Sequence, residues 1–191
     1  YEPLRLALKK RPDLLISTKS YAYDRAGAEA AFEEARRALD TDVIPIFLMH
    51  EQEDRLTLKG HREAFDFYLE QKAKGKILAV GFSTHRVAAV DYAPRYPGVD
   101  VVFPLINVTG VGIPDGTRDE MAEAIHRAHL GSIGIYAMKP LGGGHLIADP
   151  KQAFDYLRGL GADCGFHIPG RIEEGYGLNS AAIEQLAAQG V

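Results

Sequence analysis

Five apolar stretches of the sequence end in polar residues that can bind ligands or move protons. Lys19 carries an ammonium that can hold a carboxylate or lower the pKa of a neighbouring phenol. His50 can donate a hydrogen bond to a carbonyl or act as an acid or base. A solvated strand end explains any one of these positions, but together they predict a shared site. The five endings are Thr18-Lys19, His50-Glu51, Ser83-Thr84-His85, Asn107 and Met138-Lys139-Pro140.

Glycines 142 to 144 follow the fifth stretch, where backbone amides can approach a phosphate or pyrophosphate. The alternative is an ordinary loop that needs positive φ. The sequence lacks the Gly-x-Gly-x-x-Gly and Walker motifs and the Gly-x-Ser-x-Gly elbow, and Cys164 has no evident activating base. The acidic residues after His50 do not have the His-Glu-x-x-His spacing. We therefore expect neither Rossmann-type binding, a hydrolase nucleophile nor a metal site.

The elements that position these residues read as parallel strands alternating with helices. Six nearly continuous apolar runs begin at residues 13, 43, 77, 99, 133 and 164. Such runs are typical of strands buried on both faces. Between them, apolar residues recur at three- and four-residue steps, which predicts amphipathic helices. The helix-facing sets are Phe32, Ala35 and Leu39; Ala64, Phe65, Tyr68 and Leu69; and Met121, Ile125 and Ala128.

Length and composition limit the possible folds and functions. The 191 residues are 46% hydrophobic and 25% charged with a net charge of -4, which favours one domain over residues 1–191 and disfavours nucleic-acid binding. A single cysteine and no signal-like segment favour the cytoplasm, and no apolar stretch predicts a membrane span.

The alternation of strands and helices indicates an α/β fold, either a closed barrel or an open doubly wound sheet. A closed barrel usually needs about 250 residues, so six strands fall short of closure.

Four segments resemble the aldo-keto reductases in order and spacing, over about residues 4–150. They are Leu15 to Lys19, Ala38 to Asp42 leading to Ile46 to His50, Gly75 to Ser83, and Ala137 to Gly144. The resemblance implies an N-terminally incomplete (β/α)8 TIM barrel. It also implies an NADP(H)- or NAD(H)-dependent oxidoreductase that reduces an aldehyde or ketone to an alcohol, using an aspartate, tyrosine, lysine and histidine tetrad.

Residue by residue, the resemblance assigns Lys19 and His50 to the tetrad. It implies that Ser83, Thr84 and Asn107 hold the nicotinamide carboxamide and that Met138 replaces an aromatic residue often stacked on that ring. The pyrophosphate loop corresponds to Lys139, Leu141, Gly142 and Gly143, and Arg171 corresponds to a residue near the ribose 2′-phosphate.

The family's aspartate and tyrosine precede the helix predicted over Leu4 to Lys10, and Tyr1 lies just after the tyrosine's position. We therefore expect the first two strands and the proton donor to be missing, and the 191-residue chain to have little activity. Tyr21 and Tyr23 are expected to be exposed loop residues. The alternative function is an inactive cofactor-binding or interaction module, with self-association through unpaired strand edges. An open sheet with unrelated ligands is a further alternative.

Overall fold

The computed structural model describes residues 1–164, with side chains described through residue 160. Strands and helices alternate along this part of the chain. The strands are β1 (Ser17–Ser20), β2 (Ile44–Met49), β3 (Ile77–Thr84), β4 (Val101–Pro104) and β5 (Gly134–Ile135). The helices are α1 (Glu2–Lys10), α2 (Arg25–Leu39), α3 (Arg55–Gly60), α4 (Arg62–Ala73), α5 (Val87–Tyr92), α6 (Arg118–Leu130) and α7 (Pro150–Cys164).

The five strands are parallel and lie in the order β1-β2-β3-β4-β5. A doubly wound sheet reverses its strand order at a switch point, whereas a barrel adds each strand beside the previous one. The observed order therefore excludes the doubly wound alternative for the described residues. The hydroxyls of Ser17 on β1 and Tyr136, directly after β5, lie 2.5 Å apart, so the sheet curves enough for side chains from its two edge strands to meet across its concave face.

The two faces of the sheet carry different clusters of apolar side chains. Ile46, Leu48 and Val101 pack together on the concave face, with Phe103 and Tyr136 against them. The alternate residues of the strands, such as Phe47 and Phe82, pack on the other face with the helices. This division follows from the two-residue period of a strand. It places Lys19, which shares the register of Leu48, on the concave side.

The predicted helix-facing residues are buried with one exception. The buried positions of α2 and α6 include every predicted residue, whereas Leu69 of α4 is only partly buried. Side-chain caps mark several helix starts: Asp24 accepts from the amide of Gly27, and capping boxes begin α3 at Asp54 and α6 at Thr117. These caps satisfy amides that the first helical turn leaves without partners.

Several predicted strands differ from the observed structure, and the run from Val99 to Asn107 is a strand only over Val101–Pro104. The run from Asp13 enters the ladder only at Ser17, and the run from Ile133 forms a ladder only over Gly134–Ile135, followed by one bridge between Met138 and Leu105. The sixth predicted strand is wrong at its first residue, because Cys164 ends α7. The rest of that run, and Arg171, lie outside the described residues.

Candidate functional site

Lys19 extends from β1 into the concave side of the sheet. Its Nζ atom lies 5.4 Å from the centroid of the Phe103 ring on β4. Burial lowers the pKa of Lys19, the charge of Glu51 opposes that change, and the charge of Lys139 adds to it. The ammonium is thus held beside an aromatic face and close to a second cation.

His50 follows β2 and is fixed through its backbone. Its amide donates to the carbonyl of Ser20 at 2.8 Å, and its carbonyl accepts from Nε2 of Gln52 at 3.2 Å. Burial lowers the pKa of the imidazole below its usual 6.5, and the nearby charges of Lys19, His85 and Lys139 lower it further. The neutral imidazole is therefore the favoured form at pH 7, and it retains one N–H donor.

Glu51 contacts the ends of two neighbouring elements. Its Oε2 accepts from the Tyr21 hydroxyl at 2.8 Å, and its Oε1 lies 3.5 Å from Nδ1 of His85. The Tyr21 ring lies against that of His50, with centroids 4.0 Å apart and planes tilted by 32°. Tyr21 is 64% exposed, as expected for a loop residue, but its hydroxyl and ring are both engaged.

The sequence placed Glu51 and His85 among the strand-end residues without a specific role, and it predicted Tyr21 only as an exposed loop residue. The available signal was their position, since all three follow strand ends.

Ser83 and Thr84 close β3 and are fully buried. The Ser83 hydroxyl accepts from the amide of Glu51 at 3.1 Å, and the Ser83 carbonyl accepts from the amide of Gln52 at 2.9 Å. The Thr84 hydroxyl accepts from the amide of Arg86 at 2.9 Å. Both residues therefore hold the loops after β2 and β3, and the Ser83 hydroxyl keeps a proton to donate.

Asn107 is fully buried, and its amide organises the loop after β4. Nδ2 donates to the carbonyls of Val111 at 2.9 Å and Lys139 at 3.4 Å. Oδ1 accepts from the amide and hydroxyl of Thr109 at 3.3 and 3.1 Å and from the amide of Val111 at 3.2 Å. Both amide protons are used, so Asn107 reaches a ligand indirectly, through the segment of Lys139.

The segment after β5 turns sharply at Lys139 and the three glycines. Lys139 has φ 57°, and Gly142, Gly143 and Gly144 have φ of 57°, 66° and 104°. A Cβ at Gly143 or Gly144 would meet no heavy atom within 4 Å, so the backbone borders open space there. Met138, at the start of this segment, is buried, and its side chain has no aromatic face. An open glycine turn beside a lysine suits an anionic group.

Two tyrosines lie close to the strand that carries Lys19. The hydrogen bond from Tyr21 to Glu51 raises the pKa of that phenol, and burial raises the pKa of Tyr136. Neither is a phenol made acidic by Lys19, as the tetrad requires of its proton donor. Tyr1 lies at the start of α1 and is 46% exposed.

The described part of the chain holds neither a cluster of metal ligands nor a helix that could span a membrane. No group of three or more histidine, cysteine, aspartate or glutamate residues there is arranged to hold a metal ion. None of the helices described is both long and apolar enough to cross a membrane. The structure places Lys19, His50 and Lys139 at the carboxyl ends of their strands, because the amide of His50 bonds the carbonyl of Ser20 and Lys139 follows the bridge between Met138 and Leu105.

Solved structures with this fold are numerous. The aldo-keto reductase AKR11C1 of Bacillus halodurans, in its holo form, is 18% identical with a TM-score of 0.59, over 74% of this chain and 48% of that one. An aldo/keto reductase from Klebsiella pneumoniae in complex with NADP and acetate is 21% identical with a TM-score of 0.60, over 76% and 50%. The reductase from Brucella melitensis is 23% identical with a TM-score of 0.58, over 78% and 56%.

At these identities the structural matches establish the fold, an incomplete (β/α)8 barrel, and the chain spans about half the length of the first of them. A search of curated proteins found no match. The model of the aldo/keto reductase family matches residues 2–164, which include every element described above. The chain therefore belongs to the aldo/keto reductase family.

Proposed function

We propose that the chain provides the lysine and histidine of an NADPH- or NADH-dependent oxidoreductase that reduces an aldehyde or ketone to an alcohol. The observation that carries this proposal is that Lys19, His50 and Lys139 lie at the same edge of a curved parallel sheet: the amide of His50 bonds the carbonyl of Ser20, next to Lys19, and Lys139 follows the bridge between Met138 and Leu105. Ligands of barrel enzymes bind at the carboxyl ends of the strands. Family membership supports the reaction class.

His50 and Lys19 have separate roles in this proposal. His50 donates an N–H hydrogen bond to the substrate carbonyl oxygen, which requires the neutral form that burial and the surrounding cations favour. Lys19 stabilises the phenolate of the tyrosine that gives up its proton, because an adjacent ammonium favours the charged form of a phenol. The family resemblance assigns this tyrosine to the segment before α1.

The residues after β3, β4 and β5 fit a nicotinamide dinucleotide. The open glycine turn with Leu141, Gly142 and Gly143 beside Lys139 suits the pyrophosphate. The Ser83 hydroxyl has a proton to donate to the cofactor, and Met138 directly precedes Lys139. Thr84 and Asn107 hold the surrounding loops. The bound nicotinamide supplies the hydride. The neighbour in complex with NADP supports the cofactor class. The role of Arg171 with a 2′-phosphate stays a prediction.

Titration of the 191-residue chain with NADPH and with NADH tests the cofactor assignment. Saturable quenching or enhancement of the reduced nicotinamide fluorescence is expected, and Lys139→Met should weaken binding about tenfold through loss of one charge-assisted contact. Lys59→Met, which removes an exposed lysine of α3, is the matched control and should leave affinity unchanged. Equal affinities in both variants would contradict the assignment of the phosphate site.

A second function is favoured by the hydrogen bonds of the two tyrosines near Lys19, because the Tyr21 hydroxyl donates to Glu51 and the Tyr136 hydroxyl bonds that of Ser17, so neither is bonded to Lys19. The chain would then be an inactive module that binds the cofactor or a partner. Such a module binds NADPH without reducing any aldehyde. Within the described residues 1–164, β1 and β5 each pair on one side only, which favours self-association through those edges. Light scattering measures the assembly.

We place the protein in the cytoplasm because the sequence has a single cysteine, Cys164.

A further inference from the structure

We propose that Tyr21 and Glu51 are positioning residues for His50, forming with His85 a bridge across the ends of β1, β2 and β3. The role assigned to His50 in catalysis rests on the proposed function, but the bridge itself is a property of the chain. Its links are the bond from the Tyr21 hydroxyl to Glu51 at 2.8 Å and the approach of Glu51 to Nδ1 of His85 at 3.5 Å.

The bridge acts on His50 through the aromatic ring of Tyr21. The two ring centroids are 4.0 Å apart, so the phenol covers one side of the imidazole. Tyr21 is 64% exposed and follows β1 in a loop, so little packing holds its ring there. The bond to Glu51 is therefore the specific contact that keeps the ring against His50. His50 is fixed at the backbone already, and the ring adds a constraint on its side chain.

The backbone of Glu51 supports a role beyond that of a surface acid. Glu51 has φ 51°, in the left-handed region that favours glycine and is uncommon for other residues. Its carboxylate lies between the Tyr21 hydroxyl and Nδ1 of His85, and its amide donates to the Ser83 hydroxyl at 3.1 Å. Strained backbone of this kind persists where surrounding contacts hold it.

Glu51 is also the anion in an otherwise basic surrounding of His50. The groups that act on the imidazole are Lys19 from β1, His85 after β3, Lys139 after β5, and Glu51 itself. The three bases disfavour the imidazolium and Glu51 favours it. Removing the charge of Glu51 is therefore expected to lower the pKa of His50, whereas removing the Tyr21 hydroxyl alone changes no charge.

NMR of the 191-residue chain with isotope-labelled histidine tests the bridge without an activity measurement. In the native chain the Tyr21 ring should displace the His50 ring protons upfield. Tyr21→Phe keeps a ring but removes the bond to Glu51, and most of the displacement should be lost. Glu51→Ala should lose it as well. Glu51→Gln keeps an oxygen that accepts from Tyr21, so it should retain the displacement while the pKa of His50 falls.

Two matched controls lie two residues further along the same loops. Tyr23→Phe changes a tyrosine that is also 64% exposed but whose nearest ring, that of His61, is 6.4 Å away. Glu53→Gln changes a glutamate that pairs with Arg86 at 3.4 Å. Neither should alter the His50 signals. If Tyr21→Phe leaves the displacement intact, or if the controls change it equally, the bridge does not hold the imidazole and the proposal is wrong.

The same variants separate this inference from the proposed function. NADPH affinity should be unchanged in Tyr21→Phe, because neither Tyr21 nor Glu51 lies on the glycine turn. Loss of the NMR displacement supports the bridge even if the chain binds no cofactor. Cofactor binding with an intact displacement in Tyr21→Phe supports the proposed function and overturns the bridge.

Discussion

Replacing Asn107 with alanine should destabilise the protein and loosen the proposed phosphate site together. The side chain is fully buried and makes five hydrogen bonds, at 2.9 to 3.4 Å, to Thr109, Val111 and Lys139. Three of the backbone partners belong to the loop of residues 107–111, and the fourth is the carbonyl of Lys139. Alanine removes all five bonds and leaves these partners to find water or rearrange.

The expected loss in the free energy of unfolding follows from the number, length and exposure of these hydrogen bonds. A neutral hydrogen bond contributes a net of about 1 kcal/mol, and a buried group left without a partner costs about 1–3 kcal/mol. Two of the five bonds are long, at 3.3 and 3.4 Å, and Val111 is 39% exposed, so water can replace part of what is lost. We therefore expect Asn107→Ala to lower the free energy of unfolding by about 2–4 kcal/mol. Thr109→Val, which removes the bond donated to Asn107 and a long bond accepted from the amide of Val111 at 3.4 Å, should cost about 1 kcal/mol.

Urea denaturation followed by circular dichroism measures the loss of stability, and NADPH titration of the folded variant measures the site. Affinity for NADPH should fall in Asn107→Ala because the carbonyl of Lys139 loses its tether. Thr109→Val controls for loop damage that does not reach Lys139, and it should keep the native affinity. A loss of stability below about 0.5 kcal/mol for Asn107→Ala would refute the assignment of these bonds as the support of the loop.

Three further predictions concern the sheet, the histidines and the lysine. Gly81→Ala should lower the free energy of unfolding by about 3 kcal/mol or more in urea denaturation, because its Cβ would lie 1.7 Å from a carbonyl oxygen of β4. The matched variant Gly159→Ala in α7, where a Cβ meets nothing within 4 Å, should raise the free energy of unfolding by about 0.5–1 kcal/mol. Burial lowers the pKa values of His50 and His85, so the unfolded chain binds more protons and stability should fall as pH drops below about 6.5. Urea midpoints at several pH values measure this fall. His85→Asn should make the dependence of stability on pH less steep. Lys139→Met should weaken NADPH binding about tenfold in the fluorescence titration, without loss of stability.

Much of the helical packing follows from sequence periodicity. The buried face of α2 includes Phe32, Ala35 and Leu39, as predicted, because an amphipathic helix has one way to hide its apolar residues. The bounds of β3, Ile77–Thr84, also agree with its apolar run. This strand lies between β2 and β4. Residues from Ile77 to Phe82 pair with β2, and Gly81 to Thr84 pair with β4.

Strand lengths at the edges of the sheet do not follow from apolar runs. Among the described residues β1 pairs with β2 alone, and its register begins with Ser17 opposite Ile46, so the apolar residues before Ser17 are not in the ladder. β5 pairs with β4 through Gly134 and Ile135, and bonds from the amides of Tyr136 and Met138 to the carbonyls of Val102 and Pro104 continue beyond the strand. The order of the strands is likewise a long-range property, and alternating strands and helices fit both a barrel and a doubly wound sheet.

The site shows a similar division between what residue types indicate and what geometry decides. Lys19, His50 and Asn107 all follow apolar runs, and sequence alone treats them as equal candidates for ligand contact. Counting hydrogen-bonding capacity separates them, because Asn107 has used both of its donors within the chain while the other two keep donors at the rim. A polar residue after a parallel strand therefore serves one of two roles, holding a loop or facing a ligand. Mutation distinguishes the roles: removing a holding residue such as Asn107 lowers stability and affinity together, whereas removing a facing residue such as Lys139 lowers affinity alone.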